Sequence, residues 1–88
     1  MDAAHRTTLR FSYASERDAR TVHRAVRVEA GDIEGDRTSA SVERAGATVR
    51  VTVEAADLTA LRAGTNTWAT LVGVAEAAAD TGNAYVDR

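Results

Sequence analysis

The side chains that could do chemistry in this 88-residue chain are few and poorly placed for it. His5 falls in the N-terminal stretch and His23 in a segment of helical spacing. Neither has an acidic partner four residues on, and there is no cysteine, so no metal constellation forms. His23 is read as a packed or surface histidine rather than a base or ligand. Ser12, Ser15, Ser39 and Ser41 lack the surroundings of a nucleophile elbow or a triad. Asp32, Glu34 and Asp36 alternate in GDIEGDR, where three carboxylates could meet a hard cation. No Ca²⁺-loop pattern continues from them, and a solvated loop is the favoured reading. The same loop has the glycines of a phosphate cradle but too many acids to welcome an anion. The expectation is no enzyme, with no catalytic residue, no cofactor and no metal.

The elements around these residues form a simple order. Thr7 to Tyr13 alternates, with Leu9, Phe11 and Tyr13 on one face and Thr8, Arg10 and Ser12 on the other, as in a half-buried strand. Ser15 opens SERD, close to a capping box, and Ala19, Val22 and Val26 recur at helical spacing up to a stop before Gly31. Gly31 to Arg37 reads as a loop. Thr38 to Arg44 and Ala47 to Ala55 read as strands joined at Ala45-Gly46, with Val49, Val51 and Val53 inward. Asp57 caps a long helix to Ala79. The fold class is α+β: a three-stranded antiparallel sheet, third strand in the middle, with two helices packed on one face. Residues 1–88 form a single domain, with an ordered core at about 7–79 and a frayed tail at 80–88.

The final helix is the most unusual of these elements. Leu58, Leu61, Thr65, Trp68, Val72 and Ala75 form one apolar stripe, and Leu71, Val74 and Ala78 a second beside it. Between Leu58 and Ala79 only Arg62 and Glu76 ionise. A surface helix carries one apolar face and one charged face. This one is expected to be covered on two sides, by its own sheet and by a partner. The rest of the core is modest, because hydrophobic residues make up 44% of the chain and nearly half of them are Ala. Association is one remedy for a modest core. No apolar run approaches the roughly 20 residues of a membrane span, and MDAAHRTT has no signal-peptide layout, so a cytoplasmic protein is expected.

Two surfaces remain as contact candidates. The sheet face away from the helices would present Arg10, Ser41, Glu43, Arg50 and Thr52, with charges of mixed sign as a two-fold contact requires; it is either solvated or the dimer face. All eleven cations are Arg, and Arg17, Arg20, Arg24 and Arg27 form a ridge on the first helix. Arg17, Arg20 and Arg24, with Arg37 in the loop, are the candidate nucleic-acid contacts. A net charge of −2 argues against a strong nonspecific grip on phosphates. The strands also lack base-stacking aromatics. A solvated helix face is the competing reading of the ridge, and a GC-rich genome or a salt-loving source both fit the Arg-only composition.

Taken together, LRFSYASERDARTVHRAV and GDRTSASVERAGATVRVTVEAADLTALRAGTNTWATLVGVAE resemble the CTAG/Pcc family, the small dimerising subunit of the archaeal KEOPS complex. The resemblance covers Leu9 to Glu76. Its most telling part is LTALRAGTNTWATLV, where Arg62, Asn66 and Trp68 match the family's leucine–arginine–alanine…asparagine helix. Gly64 departs from the better helix former expected there, and close approach of a partner helix is the reading given to it. The resemblance implies a non-catalytic scaffold that forms homodimers. It also implies that the helices bind the catalytic ATPase-like subunit of a complex making threonylcarbamoyl-adenosine at position 37 of tRNA, and that tRNA binding is assisted. Carried over by position, the partner interface comprises Leu61, Arg62, Thr65, Asn66 and Ala69, with His23 and Arg27. From other classes, the alternatives are a stand-alone RNA-binding domain of KH-like type and, more weakly, a small acyl- or phosphoryl-hydrolase.

Overall fold

A computed structural model describes residues 4–33 and 38–87. The chain runs β1 (His5–Ser12), α1 (Glu16–Ile33), β2 (Thr38–Ala45), β3 (Thr48–Ala55) and α2 (Leu58–Asp87). The sheet order is β1-β3-β2, both pairings antiparallel, so the third strand is central and the fold class is the expected one. The register puts Leu9 and Val42 beside Val51, and Phe11 and Arg44 beside Val49. Alternation then carries Thr8, Arg10, Thr52, Arg50, Ser41 and Glu43 to the opposite face.

Each helix starts on its cap. Ser15 Oγ accepts the Asp18 N–H at 3.1 Å, and Asp57 Oδ1 accepts the Ala60 N–H at 2.8 Å. Ala19, Val22 and Val26 of α1 and Trp68, Val72 and Ala75 of α2 close over Val49, Val51 and Val53. Trp68, at 1% exposure, is the largest fully buried side chain. Threonines sit comfortably in α2 because Thr65 and Thr67 donate their hydroxyls to the carbonyls of Leu61 and Ala63, at 2.7 and 2.9 Å.

Several expectations need correction. β1 begins at His5, two residues early. α1 continues through Gly31 to Ile33, so the first part of the expected GDIEGDR loop is helix, while residues 34–37 lie outside the described residues. A glycine weakens a helix by only about 1 kcal/mol and does not by itself end one. The hairpin turns at Gly46-Ala47 rather than Ala45-Gly46. Gly46 takes φ +60°, and among the described residues no non-glycine takes positive φ, matching a two-residue turn with Gly in its first central position. α2 runs past Ala79 to Asp87, and its last buried residue among the described side chains is Ala75. Val28, Leu58 and Val74 are exposed rather than core, at 66%, 50% and 63%. Val28 falls on the arginine side of α1, Leu58 at the first turn of α2, and Val74 on the side of α2 away from Trp68. Gly64 faces inward. A methyl group there would sit 3.1 Å from Val53 Cγ1 and 3.6 Å from Thr38 Cγ2. Gly64 therefore serves the approach of α2 to its own sheet, not to a partner helix.

Candidate partner-binding site

Among its described side chains, the outward half of α2 exposes Arg62, Ala63, Asn66, Thr67, Ala69, Thr70 and Val74, with Gly73 between them, and Arg62 is the only charge in that set. Where this half meets the edge strand β1, Thr7, Leu61, Arg62, Thr65 and Asn66 line an open groove of about 310 Å³. Helical spacing explains the grouping. Leu61 and Thr65 lie one turn apart on the half-buried flank, and Arg62 and Asn66 lie one turn apart just outside it. Thr7 enters from the inward face of β1. Four of the seven expected interface residues are thus gathered at one place. Ala69 is exposed one turn beyond Thr65, outside the groove.

His23 and Arg27 do not join them. They continue the row Glu16–Arg20 along α1, the flank that meets β2: Arg44 Nη1 reaches Glu16 Oε1 at 3.2 Å, and Arg20 reaches the same oxygen at 3.7 Å. That flank lies over one edge strand and the groove borders the other. Sequence spacing identifies a residue's position around its own helix but not which sheet edge that flank overhangs. Thr7 was missed for a similar reason. Its only signal was its parity with Leu9 on a strand expected at the sheet edge.

Arg17, Arg20, Arg24 and Arg27 are all exposed on the outer side of α1, and Arg37 lies outside the described residues. Among the described residues, Arg17, Arg24 and Arg27 make no ion pair. On the open sheet face, Arg10, Arg50 and Glu43 form one row across the strands and Thr52 and Ser41 share the next, so the five proposed dimer-face residues are contiguous. Arg50 pairs with Glu43 at 3.2 Å and Arg6 with Glu54 at 2.9 Å. Arg10, directly opposite Arg50, has no ion-pair partner among the described residues. These exposed pairs are each worth about 0–1 kcal/mol.

Two polar groups lie deeper. Arg44 sits on the inward face of β2, where a charge is unusual, and turns its guanidinium to Glu16 and to the Gly46 carbonyl at 3.0 Å. The Tyr13 hydroxyl is buried with no hydrogen-bond partner. Burial first, and then the Glu76 carboxylate, which stands outside good hydrogen-bond geometry but close enough to attract the phenol proton, push its pKa above the ordinary phenol value. Neither group opens onto the groove. Among the described residues, no group of three or more His, Cys, Asp or Glu side chains could hold a metal ion, and no helix is long and apolar enough to cross a membrane.

The model of the family described as "Transcription factor Pcc1" matches residues 6–80. Among solved structures, a chain of one described as "Crystal structure of binary complex Gon7-Pcc1" superposes with a TM-score of 0.78. It is 18% identical, over 91% of this chain and 98% of that one. At that identity the likeness speaks for the fold. No curated protein matches the chain.

Proposed function

The chain belongs to the Pcc1 family, and from that premise we propose that it is a non-catalytic scaffold subunit of a KEOPS-type complex. In this reading it pairs with a second copy and holds the catalytic ATPase-like subunit on its helices, so that the assembly can form threonylcarbamoyl-adenosine at position 37 of tRNA. The observation that carries the reading is the outward half of α2: eight exposed residues among those described, one charge, and a groove at their border. A helix face so poor in charge suits burial under a protein partner better than contact with water. The solved relative of this fold is itself held in a binary complex. Light scattering of the purified chain should give twice its 9.3 kDa mass, and mixing with the ATPase-like subunit should give a heavier joint species. A monomer at tens of micromolar that leaves the subunit's elution unchanged would overturn the reading.

The arginine ridge of α1 favours one further reading, a stand-alone RNA-binding domain of KH-like type. Four phosphate contacts would give log–log salt slopes of about −3 to −4. The scaffold reading expects weak tRNA binding by the isolated chain, strengthened in the complex through Arg17, Arg20, Arg24 and Arg37. Micromolar affinity of the chain alone would favour the KH-like reading.

A further inference from the structure

We propose that Arg62 and Asn66 form a seat for a carboxylate side chain of the protein partner, over the groove that α2 makes with β1. The proposal rests on the reading that a protein covers α2, and it supplies the chemistry that protein must bring. Arg6, Arg20, Arg44 and Arg50 each reach an acid of this chain, at 2.9 to 3.7 Å. Arg62, like Arg10, Arg17, Arg24 and Arg27, reaches none among the described residues, but it alone of these borders the groove, and no acid lines that groove. A guanidinium left in water has no need of a partner. Covering α2 strips that water away, and an unpaired buried charge then opposes binding strongly. A protein that covers this face must therefore present an anion to Arg62.

The groove's other polar groups select that anion. Arg62 offers a planar fork of N–H donors, and Asn66 one turn on offers an amide N–H₂. Thr7 adds a hydroxyl from the strand. The Thr65 proton is already engaged by the Leu61 carbonyl at 2.7 Å, so Thr65 has none left to donate to the anion, and the donors there are those of Arg62, Asn66 and Thr7. A set dominated by donors, with Leu61 as an apolar side wall, suits a single carboxylate bound in bidentate fashion. A nucleic-acid backbone would bring repeated charges to a surface with one cation, next to Ala63, Ala69, Gly73 and Val74.

The test measures the affinity of the purified chain for the purified ATPase-like subunit. Arg62→Ala should weaken binding about tenfold, Arg62→Glu a hundredfold or more, and Arg62→Lys less than Arg62→Ala. Asn66→Asp, which sets an acid one turn from Arg62, should also weaken it. Thermal unfolding should stay within a degree or two of the unaltered chain, since both side chains are exposed. Reversing the subunit's surface acids one at a time should yield one variant that restores Arg62→Glu. Unaltered chain that binds while Arg62→Glu binds equally well overturns the seat and leaves the scaffold reading standing. No binding by the unaltered chain overturns both. Loss of tRNA affinity with protein affinity unchanged overturns the seat in favour of a phosphate site.

Discussion

Tyr13 shows how one side chain can satisfy the apolar pattern and still leave a polar atom stranded. Its parity with Leu9 and Phe11 places the ring against the core, and the hydroxyl follows it in without a partner. A buried unpaired group of this kind costs about 1–3 kcal/mol. With Glu76 outside good hydrogen-bond geometry, Tyr13→Phe should stabilise the fold by about 1 kcal/mol in chemical denaturation, and a loss of more than about 1 kcal/mol would show that the hydroxyl bonds the neighbouring Glu76 carboxylate after all. The pH dependence follows from the raised pKa. Folding holds the phenol's proton more tightly than the unfolded chain does, so the contribution is constant below about pH 10, the ordinary phenol value. Above it, the unfolded chain ionises first and stability falls as pH rises. Tyr13→Phe should remove most of that alkaline decline. Nothing in the sequence marked this pair. Tyr13 and Glu76 are far apart along the chain, and only the packing of α2 across β1 makes them neighbours.

The strands and helix starts were readable because their signals are local. Parity identified the inward valines of β3, and Ser15 and Asp57 cap the helices they were expected to cap. Helix ends and the outward residues of α2 were not, since they depend on what lies across the interface. Two of the α2 glycines, Gly64 and Gly73, make the point testable. Gly73 is exposed with open space around it, so Gly73→Ala should add helix propensity alone and stabilise by about 0.5–1 kcal/mol. At Gly64 the same gain meets an added methyl 3.1 Å from Val53 Cγ1, and Val53 is β-branched and fully buried. Overpacking of a tight core costs about 1–3 kcal/mol, so Gly64→Ala should be net destabilising by about 1 kcal/mol. Equal melting temperatures for the two variants would mean that α2 shifts freely over the sheet. Interface residues drawn from the resemblance divided between two flanks for the same reason: Leu61, Arg62, Thr65 and Asn66 share an edge that His23 and Arg27 do not.

The molecule as a whole has two helices on one side of its sheet and none on the other, and it leaves a like-charged pair on the open side. Arg10 faces Arg50 across the β1–β3 pairing, and among the described residues Glu43 pairs with Arg50 and not with Arg10. Like charges directly opposite each other destabilise a sheet by a few tenths of a kcal/mol or more. A second copy docked on this face by a two-fold axis would bring its own Glu43 and Glu54, and Arg10 would gain the acid it lacks. Two variants separate this arrangement from a plain solvated face. Thr52 lies on the central strand among the proposed contacts, so Thr52→Arg should shift the monomer–dimer equilibrium at least tenfold towards monomer in sedimentation equilibrium. Arg10→Glu should relieve the repulsion inside one chain, raising the melting temperature of the dilute monomer, while weakening the dimer. If the dimer forms with unchanged affinity in both variants, its contact lies elsewhere, with the free edges of β1 and β2 next in line. Only an unpaired edge then offers the backbone donors and acceptors that a second chain could use.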